Sequence, residues 1–144
     1  MTAIDEMLTA TPVEEDEKIT VLPRLFSGPA MLLGEASIYN TMERLCEAYK
    51  GGQWVFMAVS NGGLFLMPKM QGPLRLVNAD NYTDVEVSPE AAGIIVTIYA
   101  LSLVMGLTDE DNDSTLRLLV TRSHQLKEYA AQHPEAAKIG AAID

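Results

Sequence analysis

An uncharged apolar run at residues 91–108, AAGIIVTIYALSLVMGLT, limits the fold more than any other part of the chain. Its 18 residues reach the lower limit for a helix that spans a bilayer. However, two glycines, two threonines and a serine dilute the run, and acidic residues flank it where basic anchors are expected. We therefore interpret it as the central helix of a folded domain, which the other elements must bury.

The residues before this run carry a helix-start signal. Ser88 offers a capping hydroxyl, Pro89 suits the first turn, and Glu90 lies near the positive end of the helix dipole. We expect the helix to run to Met105 and to end at Gly106.

Three other stretches predict helices. Residues 29–51 place apolar side chains at steps of three and four, with a proline near the first turn and a glycine beyond the last. Residues 114–132 repeat this amphipathic pattern, and Pro134 opens a last short helix.

The middle of the chain predicts strands. QWVFMAVS at 53–60 is apolar on both alternating faces, which suits an inner strand covered on both sides, and LFLMP at 64–68 is a second strand. Between them, Asn61-Gly62 suits the positive φ of a tight hairpin turn, whereas a phosphate-binding loop would open a helix. PLRLVN and YTDVEV predict two further strands. The expected fold is α+β: a single two-layer domain with an antiparallel sheet of three or four strands packed with about four helices.

The charge distribution argues against direct binding of nucleic acid. The net charge is −10, and phosphate binding requires a basic surface. Residues 1–17 carry six acids and no base, and residues 108–113 carry four more acids. The rest of the chain holds ten acids and ten bases, so it lacks the rows of uncompensated carboxylates expected of a DNA mimic. We expect residues 1–17 to be an acidic, disordered tail and residues 18–144 to form the domain.

Residues that carry chemistry are few. The single cysteine, Cys46, forms no internal disulfide, and no secretory pattern opens the chain, which predicts a cytoplasmic protein. His124 and His133 lack zinc-ligand spacing and are expected to have polar surface roles. Glutamates that share one side of the first helix are interpreted as a solvated face; they are Glu35, Glu43 and Glu47. We expect no catalytic residue, metal or cofactor.

Six segments resemble the ArdB/KlcA family of antirestriction proteins, in the family's order and from about Val21 onward. They are LPRLF (22–26), GEASIYNTMERLCEAYKGGQW (34–54), SNGGLFLMP (60–68), SPEAAGIIVTIYALS (88–102), HQLKEYAAQHPEA (124–136) and the terminal AID. Leu64-Phe65 departs from the family, which tends to have two aromatics there, and residues 78–87 are a looser match. The resemblance implies a protein of plasmids and other mobile elements that inhibits type I restriction–modification enzymes, with neither enzymatic activity nor an agreed cofactor.

The resemblance also implies recognition by a surface patch and not by DNA mimicry. Polar and large amphipathic residues at matching positions are the partner-binding candidates: Arg24, Glu35, Tyr39, Arg44, Tyr49, Trp54, Asn61 and Asp144. Several have structural alternatives: Tyr49 and Trp54 in the core or at its edge, Asn61 in the turn, and an Arg24–Glu35 pair at the entry to the first helix. Asp144, at the end of the sequence, is the candidate whose presence is least explained by packing.

The expected partner is a type I restriction–modification enzyme or an associated host protein, contacted directly or indirectly in the bacterial cytoplasm. Neither nucleic acid nor membrane is expected to bind, and the protein is expected to be a monomer, with a weak dimer as the alternative. Two other functions stay open: a plasmid-maintenance factor that acts through a host or plasmid partner, and a hydrolase or nuclease.

Overall fold

The computed structural model describes residues 7–144. These residues form five helices and two small antiparallel sheets, so the predicted α+β class is confirmed. A 3-10 helix, Glu15–Thr20, precedes the first α-helix. The strands are β1 (Ala10–Pro12), β2 (Trp54–Val59), β3 (Leu64–Pro68), β4 (Leu74–Asn78) and β5 (Thr83–Val87). The α-helices are α1 (Val21–Phe26), α2 (Met31–Leu45), α3 (Pro89–Leu107), α4 (Asp113–Gln132) and α5 (Ala136–Ile143).

Helix α3 is the centre of the core. The Ser88 hydroxyl accepts a hydrogen bond from the Ala91 amide at 3.1 Å, and Pro89 is the first helical residue, as predicted. By length and composition α3 could cross a bilayer, but most of it is buried among the other elements. It runs two residues past the predicted end at Met105, where the Thr108 hydroxyl donates to the Val104 carbonyl at 2.6 Å and closes the last turn.

Helix α3 and strand β3 approach each other closely because Gly93 has no side chain. A Cβ atom at Gly93 would lie 2.3 Å from the Leu66 carbonyl oxygen and 2.7 Å from the Met67 Cα. At this contact the Leu66 amide donates to the Thr97 hydroxyl at 3.2 Å. The helix therefore covers the outer edge of β3.

The strands divide into two sheets, where the sequence predicts one sheet of three or four. One sheet has the order β1-β2-β3, and β4 pairs only with β5. Strand β2 is central, as expected, but Trp54, Val55 and Phe56 are only half-buried. The expectation of a strand covered on both sides is therefore wrong for β2, because α3 packs on β3 instead.

The N-terminal segment differs from the expected tail. Strand β1 pairs antiparallel with β2, with Ala10 opposite Val59. The Val13 amide donates to the Phe56 carbonyl at 2.8 Å, and the Leu8 amide donates to the Gln132 side chain at 2.8 Å. The outer edge of β2 offers unpaired backbone groups, and pairing with them outweighs the polar, acidic composition of this segment. Residues 1–6 of the expected tail lie outside the described residues.

The turn between β2 and β3 is the predicted hairpin. Gly62 has φ +95°, and the Val59 amide donates to the Gly63 carbonyl at 2.8 Å. The Asn61 side-chain oxygen accepts from the Gly63 amide at 2.9 Å. Asn61-Gly62 thus has the conformational role that its sequence indicates.

Candidate functional site

An open groove of roughly 1510 Å³ lies between α2 and β4, and we call it the α2–β4 groove. One wall is the C-terminal part of α2 with residues 46–51, which follow it. The other wall is β4 and the start of the turn at residues 79–82. Three of the candidate residues line it: Tyr39, Arg44 and Tyr49.

Aromatic side chains at the groove form a fixed cluster. The Trp54 indole N–H donates to the Tyr49 hydroxyl at 3.0 Å, and the Trp54 ring lies 5.3 Å from the Tyr39 ring. The Tyr39 hydroxyl donates to Glu35 Oε2 at 2.9 Å. Burial, followed by the Glu35 carboxylate, raises the pKa of Tyr39, so the hydroxyl stays protonated and keeps this bond. Three of the eight candidates thus line the groove, and Glu35 and Trp54 contact one of them, Tyr39.

Tyr49 is the most buried member of the cluster, at 7% exposure, which confirms its structural alternative. Trp54 and Tyr39 are half-buried, so each presents an edge to solvent. Tyr49 therefore supports the groove wall and Tyr39 reaches its surface, whereas Trp54 packs against Tyr39 outside the lining.

Charged side chains of both signs line the groove in equal number. The acids are Glu43, Glu47 and Asp80, and the bases are Arg44, Lys50 and Arg75. Arg44 is exposed, and within residues 7–144 its side chain has no hydrogen bond or ion pair. Arg75 makes two bonds to Asp84, with Nε–Oδ1 at 2.8 Å and an Nη–Oδ2 contact at 2.7 Å. These bonds hold the pKa of Asp84 below its usual range, although both groups are exposed.

The C-terminus is attached to the turn at one end of the groove. The Asn81 side-chain amide donates to the Asp144 carbonyl at 3.1 Å and to the Ala142 carbonyl at 3.0 Å. The Tyr99 hydroxyl also donates to Ala142, and it accepts from Asn78 at 3.0 Å. Asp144 is exposed, so its position next to the groove is set by backbone contacts and its carboxylates remain accessible to a partner.

Arg24 and Asn61 lie away from the groove, around Arg122 of α4. Arg122 donates to the Arg24 carbonyl at 2.6 Å and to the Gly62 carbonyl at 2.9 Å. The Asn61 amide donates to the Gln125 carbonyl at 2.9 Å. Burial, followed by the charge of Arg24, lowers the pKa of Arg122.

The expected Arg24–Glu35 pair is absent from the described structure. Arg24 reaches the Thr20 hydroxyl at 3.4 Å, while Glu35 bonds to Tyr39 one helical turn onward. The Arg24 side chain points back toward the start of α1, where Thr20 is the residue that precedes the helix.

A second polar cluster, which the sequence did not predict, joins the ends of three helices. Glu90 accepts from the Tyr129 hydroxyl at 2.8 Å and lies 3.3 Å from His133 Nε2. The Glu135 amide donates to His133 Nδ1 at 3.0 Å, which leaves Nε2 as the nitrogen that carries the proton toward Glu90. His133 is buried, so the expectation of a surface role is wrong for it, whereas His124 is exposed as expected.

Glu135 completes this cluster. Its carboxylate accepts from the Ser88 amide at 2.8 Å and from the Ser88 hydroxyl at 2.5 Å. Burial alone would raise the pKa of Glu135, but the bonds from Ser88, with His133 and Lys138 nearby, hold it below its usual range. No local sequence pattern links Glu90 to His133 and Glu135, so only the residue types themselves could have indicated this cluster.

The described residues contain no group of three or more His, Cys, Asp or Glu side chains that could hold a metal ion. Every polar group of the Glu90–His133–Glu135 cluster has a hydrogen-bond partner within the protein, so the cluster ties α3, α4 and α5 together. The α2–β4 groove, with exposed side chains of both signs, is the better candidate for a binding site.

A family model described as "Antirestriction protein" matches residues 47–144, about two thirds of the chain. The chain belongs to this antirestriction protein family, as its six segments indicate. Antirestriction protein KlcA of Escherichia coli is 40% identical over 148 residues, spanning 98% of this chain and 97% of KlcA. A second E. coli antirestriction protein KlcA is 37% identical over 145 residues, with 100% of both chains covered.

A solved structure of the KlcA and ArdB proteins superposes on this chain with a TM-score of 0.83. The identity is 39%, and the match covers 95% of each chain. Those proteins are described as having a novel fold, and as showing antirestriction activity against type I DNA restriction systems in vivo but not in vitro. The predicted fold and family are thus both confirmed.

Proposed function

We propose that this protein relieves type I restriction of incoming unmodified DNA in the bacterial cytoplasm, and that it acts by binding a protein through the α2–β4 groove. The type I enzyme or an associated host protein is the partner. Binding of the partner in the groove interferes with restriction, and neither this protein nor its partner is chemically changed. The protein thereby serves a plasmid or another mobile element that enters a restricting cell.

The charge pattern of the groove is the observation that carries protein recognition. Three acids and three bases line it, so its field offers little attraction to a polyanion and does not imitate one. Aromatic and arginine side chains are the usual anchors of protein interfaces, and Tyr39 and Arg44 provide them at this surface, with Trp54 packed against Tyr39. Arg44 is the strongest candidate because its guanidinium is exposed and not engaged within the described chain.

The relatives' activity in vivo but not in vitro supports a partner that the cell supplies. A protein that copied DNA would compete directly in a purified mixture, because electrostatic attraction needs no further component. A groove that recognises an associated host protein accounts for the difference.

The test is the plating efficiency of unmodified phage on cells with a type I system, with and without the protein. Expression should restore plating while methylation of host DNA stays intact. Arg44→Glu should weaken relief by roughly thirtyfold, because loss of a true anchor costs about 2 kcal/mol or more. The control is Arg117→Glu on α4, an exposed arginine outside the groove, which should keep full relief. Equal plating with and without the protein, at confirmed expression, would contradict the proposal.

A second variant set separates surface recognition from DNA mimicry. Replacing the four acids of residues 108–113 by their amides removes one of the two dense negative segments outside the groove. Relief should be unchanged in this variant, with circular dichroism confirming the fold. Loss of relief here, together with full relief in Arg44→Glu, would reverse the interpretation.

A further inference from the structure

The outer edge of β4 is the one strand edge bordering the α2–β4 groove, and its backbone orientation can be worked out. The Glu86 carbonyl accepts from Lys138 Nζ at 2.8 Å, and Lys138 belongs to α5, which packs against β5. This carbonyl therefore points away from β4. Arg75 stands opposite Glu86 in the antiparallel pair.

Opposite residues in an antiparallel pair either exchange both backbone hydrogen bonds or exchange neither. Because the Glu86 carbonyl points away from β4, Glu86 and Arg75 exchange no backbone hydrogen bonds. The N–H and C=O of Arg75 therefore point away from β5. The same holds for Val77, two residues further along the strand. Both residues line the groove, so up to four backbone groups are directed at it.

These backbone groups have no partner from another element among residues 7–144. The edges of the other strands are protected. Helix α3 covers β3 through Thr97, α5 covers β5 through Lys138, and β1 carries Pro12, which has no N–H. Native proteins usually cover or interrupt an exposed edge, because it is a template for pairing with another chain. The uncovered edge of β4 is an exception, and it borders the groove.

We propose that the α2–β4 groove receives an extended segment of the partner protein, which adds to β4 as a third strand. This inference rests on the proposed function and specifies how the partner is recognised. Arg75 and Val77 would supply the backbone hydrogen bonds, while exposed side chains of α2 would select the segment. The five residues of β4 suit about 17 Å of extended chain.

The groove favours a single segment of a partner over a second copy of this chain. Helix α2 contacts β4 beside the groove, which limits the opening. A second copy would have to insert β4 together with β5 and the covering α5. Groove charges of both signs complement a segment that itself carries both acids and bases. The Val77 side chain, at 41% exposure, offers such a segment an apolar contact on the same strand.

Amide hydrogen exchange of the purified protein tests the edge without any ligand. The amides of Arg75 and Val77 should exchange quickly, while the amide of Leu76, which points to β5, should be protected. Protection of the Val77 amide in the monomer would overturn the proposal. Protection that rises with protein concentration would also overturn it, in favour of a second copy as the occupant.

Two variants test strand addition in restricting cells. Val77→Pro removes an outward N–H and leaves the β5-directed groups in place, so the fold should persist. It should reduce relief of restriction by roughly tenfold or more, since a lost hydrogen bond and the ring both act against the added strand. Val77→Thr keeps the N–H and should retain relief. Ala48→Trp fills the groove from the opposite wall and should also reduce relief, with Ala48→Ser as its control.

Cross-linking separates this inference from the proposed function. A photoreactive phenylalanine at position 48 should form a covalent product with another protein in restricting cells, and Val77→Pro should abolish it. A product with a second copy of this chain, or one unaffected by Val77→Pro, would overturn strand addition. If the wild-type protein relieves no restriction, the proposed function fails. Hydrogen exchange and cross-linking would still test whether the β4 edge is open and receives a strand of another protein. Equal relief by Val77→Pro and Val77→Thr, with wild-type relief intact, would overturn only the strand addition.

Discussion

Replacing Gly93 by alanine should strongly destabilise the protein, because this glycine sets the distance between α3 and β3. The new Cβ would lie 2.3 Å from the Leu66 carbonyl oxygen, where ordinary contact begins at 3.4 Å. Neither partner is a flexible side chain, so the helix and the strand must separate by about 1 Å.

The magnitude follows from three effects. Overpacking of this kind costs about 1–3 kcal/mol. Separation of the two elements would also weaken the bond from the Leu66 amide to the Thr97 hydroxyl, which contributes about 1 kcal/mol. The higher helix propensity of alanine offsets up to about 1 kcal/mol of this loss of stability. The net loss is about 1–3 kcal/mol, a substantial share of the roughly 5–15 kcal/mol that stabilises a typical domain.

Thermal and urea unfolding, followed by circular dichroism, measure this loss. The midpoint should fall by about 4–10 °C for a domain of this size. Gly106→Ala is the matched control in the same helix, since nothing lies within 4 Å of its Cβ position. It should leave the free energy of unfolding unchanged or raise it by up to about 1 kcal/mol. If Gly93→Ala proved as stable as Gly106→Ala, the close approach of α3 and β3 would be refuted.

Two further predictions concern the Glu135 cluster and the N-terminal segment. Because the folded pKa of Glu135 is below its usual value, its stabilisation is present above the unfolded pKa and is lost as pH falls through the folded pKa. Glu135→Gln should therefore cost about 1 kcal/mol at pH 7 in urea unfolding and progressively less as the pH falls into the acid range, and a cost independent of pH would contradict this. Deletion of residues 1–13 should lower the thermal midpoint by several degrees through loss of β1, whereas deletion of residues 1–6 should leave it nearly unchanged; equal midpoints would show that β1 contributes nothing.

Features governed by neighbouring residues were predictable from the sequence. The Ser88 cap, the Asn61-Gly62 turn and the buried central helix each depend on side chains within a few positions along the chain, so their patterns survive in the folded protein. The family followed from six segments in order, and three of the eight candidate residues line one groove, with two more in contact with Tyr39.

The sequence by itself thus determined the local conformations and the order of the elements, because capping, turn geometry and apolar periodicity act over short distances. Only the tertiary structure decided which backbone edges meet and which polar groups lose their water. The pairing of β1 with β2 joins residues 45 positions apart or more, and composition does not report such a pairing. Likewise, His133 is buried because Glu90, 43 positions earlier, gives it a partner. The open edge of β4 also depends on the tertiary structure, since a strand edge is left uncovered only when every other element packs elsewhere.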